Sequence, residues 1–598
     1  MQAAKPNIHY QVTLSSIAGH TFDVKLTIDK PNISGQVLSL PAWIPGSYMI
    51  RDFAKNIISI AAKDDAGNTL TIEKLDKQSW KLPPTAKKAH VTYQIYAYDL
   101  SVRGAYINDE YAFFNGTNMF LAVEGQTQQP SSLRLVKPDS AKLAHWQVAT
   151  TMPSHHPLSH QFGEYWANNY DELIDHPVLM GEFDIIPFST SGVQFELILA
   201  GGHQADMARI QQDLSIICQH QIDFFSDQPP VKHYQFITLL TDNAFGGLEH
   251  ISSTALMYSR KDLPSPYQQG KMTDGYQVFL SLCSHEFFHT WHVKRIKPEE
   301  LFEASLDSEK YTEQLWIYEG FTSYYDDLSL LRCGRITQDE YLKIMSKNLT
   351  RLLCNKGRFK QTITESSFDA WTKFYKQDEG AVNNIVSYYN KGAVVAMCLD
   401  LSIRLASNKQ YSLDDVMRHL WFNHGKVNVA THPTVIHDIV RESLGLDLSD
   451  FLDAALYSTE ELHFENLLSQ FGVDVINQVK DNIDDKGGNI NKEPLLYDFG
   501  ALCADKEIGV AITQVSEFTS AYEAGLQVGD VLIAMNNWQV SKASIKHIIN
   551  NLTLGQTSEL IVLRDKKLKK LSFEAKPTQH DTIYLNINNP QLATSWLG

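Results

Sequence analysis

Residues 285–289 read His-Glu-Phe-Phe-His. On a helix, histidines four positions apart share a face. Two imidazoles aimed at one point begin a divalent-metal site, and zinc suits such nitrogen donors well. Glu286 leaves toward the neighbouring side, where a carboxylate can take a proton from a water that the ion activates. The five residues alone are a weak signal, since histidine and glutamate are common. Their setting strengthens it. Tyr276, Val278, Phe279, Leu280 and Cys283 make the preceding stretch apolar, so the helix belongs to a core. Two histidines and a glutamate buried there without a partner would be costly, and a bound ion removes that cost.

A catalytic zinc takes three protein ligands and keeps one position open. Glu319, within Trp316-Ile-Tyr-Glu-Gly-Phe321, is the best third ligand for one zinc ion. It opens a second helix whose aromatic face (Trp316, Phe321, Tyr324, Tyr325) is expected against the first. The intervening residues 296–314 are rich in charge and must loop out. Two other groups are read as non-functional. His155, His156 and His160 lie among Pro153 and Pro157, which rule out a regular helix, and are taken as loop histidines. Lys294 and Arg295 are taken as a surface basic pair.

The elements that hold these residues belong to a long chain. At 598 residues, three or four domains are expected. Apolar content of 43% and charged content of 20% are ordinary for a globular protein. The formal net charge of −17 argues against nucleic acid or an anionic membrane as a main partner, and no run is long enough to span a bilayer. Six scattered cysteines without a CxxC point to reduced thiols and a cytoplasmic protein, with a processed export signal as the alternative.

Alternation at 10–14, 22–28 and 91–96 predicts an N-terminal β-sandwich over 1–175. Strands then mix with a helix at 207–225. From 273 to 463 the pattern is helical, including 275–291, 314–331, 339–353 and 392–405. The expected fold class is multidomain α+β. After the sandwich come a mostly helical catalytic domain (176–465), a linker (466–494), a small β domain (495–578) with one helix near 542–551, and a tail (579–598).

His285-Glu-Phe-Phe-His-Thr-Trp-His-Val-Lys-Arg-Ile-Lys-Pro298 resembles the signature of the glycyl aminopeptidase family of zinc peptidases, a gluzincin group. The likeness extends through Trp43-Ile-Pro-Gly-Ser-Tyr-Met-Ile-Arg-Asp-Phe53, Glu319-Gly-Phe-Thr-Ser-Tyr-Tyr325 and Tyr388-Tyr-Asn-Lys-Gly-Ala393, and so covers nearly the whole chain. It departs at His292, where asparagine is usual, which bears on fine positioning of the ligands. The resemblance implies a thermolysin-like catalytic domain. Phe245-Gly-Gly-Leu-Glu-His250 is similar to the segment that lies along the substrate in related aminopeptidases, so Gly246 and Gly247 would line substrate and Glu249 would hold its free α-amine. Tyr389 matches the tyrosine that donates to the oxyanion, with Tyr388 as its rival.

Phe499-Gly-Ala-Leu502, Ile508-Gly-Val-Ala-Ile-Thr-Gln-Val515 and the turn Gly525-Leu-Gln-Val-Gly-Asp530 resemble a PDZ domain. That likeness implies a groove for a C-terminal peptide, with Phe499 and Gly500 in its carboxylate-binding loop. The module either recruits substrate or packs on the catalytic domain. Together these readings predict a monozinc aminopeptidase with Glu286 as general base, acting on peptides with a free N-terminus. Small first residues such as Gly or Ala are the preference the resemblance implies. A PDZ-assisted zinc endopeptidase and a non-catalytic PDZ scaffold are the alternatives.

Overall fold

The computed structural model describes residues 6–154, 159–268 and 270–598. His155 and His156 lie outside them. Contacts divide the chain into two compact units, Met1–Lys310 with Trp421–Ala430, and Tyr311–Leu420 with Thr431–Gly598.

The first unit begins with a seven-stranded sheet and two four-stranded sheets. Strand Thr21–Ile28 explains why: Phe22, Val24, Leu26 and Ile28 are buried while Asp23 and Lys25 are exposed, the period of two that a half-buried strand requires. Phe22, Leu26, Val91, Phe113 and Phe114 lie in the resulting core. His176 is also buried, 3% exposed, with Nδ1 2.9 Å from Thr151 Oγ1. Burial pushes this imidazole down to about 4. Folding therefore favours the neutral ring. The associated stability is complete above the unfolded value near 6.5 and drains away as pH falls toward 4. We expect wild type to lose about 2 kcal/mol between pH 7 and pH 5 through this group. Denaturant unfolding at the two pH values should find that loss reduced in His176→Gln.

A five-stranded sheet follows, in the order Phe183–Thr190, Val193–Ala200, His233–Thr241, Ser253–Ser259, Phe245–Glu249. The middle strand, His233–Thr241, and its neighbour Ser253–Ser259 run parallel and are buried almost throughout. This is why they read as near-continuous apolar runs. Phe245–Glu249 forms the outer edge, antiparallel to its one neighbour. The helix Asp274–Phe288 is capped by Thr273, whose hydroxyl accepts from the amide of Tyr276 at 3.1 Å. Its buried side carries Tyr276, Phe279, Leu280, Cys283 and Phe287. Gln221, on the helix Met207–Phe224, donates to Ser284 at its carbonyl (2.9 Å) and hydroxyl (2.8 Å).

The second unit contains the π-helical turn Trp316–Phe321, which runs directly into Thr322–Arg332. Helices Gln338–Cys354 and Asn390–Ala406 follow. The small β domain has its own core of Phe499, Ile512, Leu532, Val562 and Phe573. Two segments differ from expectation. The stretch read as a linker contains strand Val473–Gln478, and the stretch read as a tail contains its antiparallel partner Thr582–Ile587. The helix Pro590–Leu597 closes the chain, with Trp596 Nε1 donating to Tyr324 Oη at 2.9 Å. These strands satisfy each other across more than a hundred residues, which no local pattern announces. Among the described residues no helix is long and apolar enough to cross a membrane.

Candidate metal centre

His285 and His289 stand on successive turns at the end of Asp274–Phe288, ring centroids 4.6 Å apart and nearly perpendicular. With Glu319 they offer ligand atoms that all lie within 4.8 Å of one another. Among the described residues this is the one such group of His, Cys, Asp or Glu side chains. His289 Nδ1 lies 2.7 Å from the carbonyl oxygen of His292. A proton on Nδ1 leaves the lone pair on Nε2, the tautomer a metal ligand needs. This carbonyl, not the side chain, makes the contact, so the departure at position 292 leaves it intact. The carbonyl is aimed by a tight turn in which Val293 adopts φ 122°, a region that β-branched residues rarely enter.

Glu319 is 2% exposed within its fully buried π-helical turn. Such turns are rare and recur at functional sites. Two glycines allow its placement. A Cβ on Gly320 would lie 2.6 Å from the Cα of Gly392, and one on Gly392 would lie 2.8 Å from the Cα of Gly320. The turn and the helix Asn390–Ala406 therefore touch backbone to backbone. That contact brings Tyr389, at the N-terminus of the helix, under the influence of Glu319. Burial first, and then the Glu319 carboxylate, hold the Tyr389 phenol well above its usual range, so it is a protonated donor. Tyr388 is fully buried, whereas Tyr389 is only partly so. Phe374 stacks on Tyr389, centroids 5.5 Å apart.

Glu286 is 5% exposed and points at the edge strand. A side chain on Gly247 would collide with its carboxylate. Thr254 Oγ1 lies 3.2 Å from Glu286 Oε2 and 3.0 Å from the Leu248 carbonyl, tying the carboxylate to the same strand. Glu249, 5% exposed, closes the strand. Gly46, at φ 85°, covers it so closely that a Cβ would lie 2.5 Å from both carboxylate oxygens. Only glycine serves there, on conformation and on space.

Three family models match separate stretches of the chain. Residues 9–182 match the model of the peptidase M61 N-terminal domain, 278–395 that of M61 glycyl aminopeptidase, and 470–574 that of a PDZ domain. The crystal structure of an aminopeptidase N family protein from Idiomarina loihiensis is 42% identical, with a TM-score of 0.96, over 99% of this chain and all of that one. The chain belongs to the M61 glycyl aminopeptidase family. It is a zinc metallopeptidase with a C-terminal PDZ domain. Curated relatives include the probable periplasmic serine endoprotease DegP-like of Pseudomonas savastanoi pv. phaseolicola, 32% identical over 130 residues, which are 22% of this chain and 24% of the relative. The protein of the same description in Ectopseudomonas mendocina is 30% identical over 129 residues, 21% of this chain and 24% of the relative. The chain thus spans about a quarter of the length of the curated relatives it matches.

Within the M61 chain, several positions behave unlike their sequence reading. Lys294 and Arg295 are not a surface pair. Lys294 is 7% exposed and bonds Asp175 at 2.9 Å, while Arg295 donates to the carbonyls of Thr290, Pro230 and Ile251. Asp175 also bonds His250 Nδ1 at 3.0 Å. Burial alone would raise the Asp175 carboxyl, but Lys294 and His250 hold it well below the usual range. Asp175 thereby fixes both the residue after Glu249 and the turn after the histidine motif. His160, by contrast, lies in a turn as its sequence reading has it, and bonds Glu196 at 2.9 Å. In the PDZ domain the Phe499 side chain is 1% exposed and belongs to the core, so it offers a ligand backbone and not a ring. Gly500, at φ 76°, abuts the Thr519 side chain. A cavity of about 620 Å³ borders Phe499, Gly500 and Thr519, together with Phe374, Val386 and Ser387.

Local sequence pattern does not single out Gly46, Asp175 or Thr254. Gly46 had a signal, since Trp43-Ile-Pro-Gly-Ser-Tyr48 carries the family likeness. Its contact with Glu249 is visible only in the fold.

Proposed function

We propose that this M61 enzyme removes N-terminal residues, with small ones such as glycine or alanine preferred, using one zinc ion held by His285, His289 and Glu319. The donor set fits: two neutral imidazoles and one carboxylate are a recurring catalytic zinc shell that leaves a position open. Zinc supplies a Lewis acid that acidifies a water and polarises the peptide carbonyl. Glu286 takes the proton from that water and later gives it to the leaving amine, steadied meanwhile by Thr254. Tyr389 donates its phenol hydrogen to the developing oxyanion, a role its protonated state supports and the deeper burial of Tyr388 does not. Gly246 and Gly247 present bare backbone to the peptide, and Glu249 pairs with the terminal ammonium.

The observation that carries the exopeptidase reading is the Gly46–Glu249 contact. A buried carboxylate stands at the end of the edge strand with a backbone wall against it, which suits a charged chain end better than a chain passing through. We expect Glu249→Ala to keep zinc and lose about 100-fold in kcat/KM on alanyl-anilide, which is about 2.7 kcal/mol and within the roughly 2–5 kcal/mol that truncating a buried charge pair costs. Its preference for a free over an N-acetylated amine should vanish with it. An intact preference in this variant would remove Glu249 from the role. Scattered cysteines without a CxxC support a cytoplasmic location, which cell fractionation tests.

A further inference from the structure

We propose that Arg103 binds the free carboxylate of short peptides, so that dipeptides with an unblocked C-terminus are preferred substrates. The inference rests on the aminopeptidase reading, because it takes Glu249 as the anchor for the amine.

Arg103 reaches the edge strand from the N-terminal β domain. Its Nη2 donates to the carbonyl of Gly247 at 3.2 Å, and its Nη1 would be 3.9 Å from a Cβ placed on Gly246. The two glycines are thus flanked by different groups, Glu286 at Gly247 and Arg103 at Gly246. The guanidinium has five N–H donors, and the Gly247 carbonyl is its one protein acceptor among the described residues. Nε is buried and meets no acceptor, and among the described residues no carboxylate pairs with the group. A half-buried cation left this way is costly.

The scaffold nevertheless holds it firmly. The turn at 101–104 is pinned by Asn115, which donates to the carbonyls of Val102 (3.0 Å) and Gly104 (3.3 Å). Asn118 donates to the carbonyl of Arg103 itself at 3.3 Å. Both asparagines are buried. Rigid support beneath unused donors marks a group that waits for a ligand.

Strand geometry names that ligand. A peptide added antiparallel to Phe245–Glu249, with its amine at Glu249, runs back toward Gly247 and Gly246. At about 3.4 Å per residue, the carboxylate of a dipeptide lies roughly 7 Å from its amine. Gly247 is two residues from Glu249, the same distance along the strand. Arg103 therefore stands where the second residue of the substrate ends. A planar guanidinium grips a carboxylate with two parallel hydrogen bonds. A longer peptide presents an uncharged carbonyl there and gains less.

The test uses the full-length, zinc-loaded protein with glycylglycine, its C-terminal amide and glycyl-anilide. Wild type should hydrolyse the free acid at least about 10-fold better than the amide in kcat/KM, mostly through KM. Arg103→Ala should erase that ratio and lose about tenfold more on the free acid than on the anilide, which has no carboxylate. Arg103→Lys should restore only part of it, because an ammonium lacks the fork. Calorimetric binding of the acid and the amide to Glu286→Gln reads the same preference without turnover. If that preference holds while no free-amine substrate is cleaved, the aminopeptidase reading falls and the Arg103 assignment stands. Equal binding of acid and amide by wild type would overturn the proposal, as would equal losses on dipeptide and anilide in Arg103→Ala.

Discussion

Glu286→Gln should bind zinc like wild type and lose about 1000-fold in kcat. Glutamine is nearly isosteric with glutamate, so the contacts against Gly247 and Thr254 can persist. What disappears is the basic oxygen. A glutamine cannot take a proton from water or return one to the leaving amine, and a positioned general base contributes roughly 10²- to 10⁴-fold. The distinctive expectation is the pairing of results: full metal content by elemental analysis, unchanged KM for alanyl-anilide, and turnover near the background. A loss of zinc in parallel with activity would mean instead that Glu286 acts through the metal site's structure.

Glu319→Gln should fail differently. The side chain is buried in a turn held by Gly320 against Gly392, and glutamine fits the same space. The charge is gone, and with it one of three ligands. Changes beyond the ligands themselves typically cost 10- to 100-fold in metal affinity, so removing a ligand should cost more than about 100-fold. Zinc should raise the Tm of the metal-stripped wild type, because a ligand that binds only the folded state stabilises it. The same addition should leave Glu319→Gln unmoved at equal concentration. Activity should return only at zinc levels far above those that saturate wild type. A variant that still holds stoichiometric zinc after dialysis would exclude Glu319 from the shell.

The two variants separate chemistry that sequence alone places close together. His285, Glu286 and His289 are legible from five residues because a helix converts spacing into direction. Glu319 is legible as a carboxylate on a second helix, but its π-helical turn is not. That conformation depends on backbone contact with Gly392, seventy-two positions away, and a lone glycine in a helical pattern does not name its partner. Lys294 and Arg295 fail as surface residues for a related reason. Their charges are visible in sequence, whereas Asp175 and the carbonyls that bury them are not. The strand pair that occupies the expected linker and tail is a third case of nonlocal satisfaction. In each instance local pattern identifies the element and distant chain decides its environment.

The proposed specificity rests on such distant contacts as well. Gly46 and Arg103 come from the N-terminal β domain, yet they border the two ends of a short segment of edge strand. One faces Glu249 and the other faces Gly247. On this account the N-terminal domain is part of the substrate site, and the length of the peptide is read between an anionic and a cationic side chain.

The most direct test of the account is the comparison of alanyl-anilide with N-acetylalanyl-anilide on zinc-replete wild-type enzyme. Acetylation removes the ammonium and leaves the scissile amide in place. The account predicts ready cleavage of the free amine and a kcat/KM at least about 100-fold lower for the acetylated form. Equal cleavage of both would contradict it, leaving a zinc endopeptidase in which Glu249 does not measure the chain end.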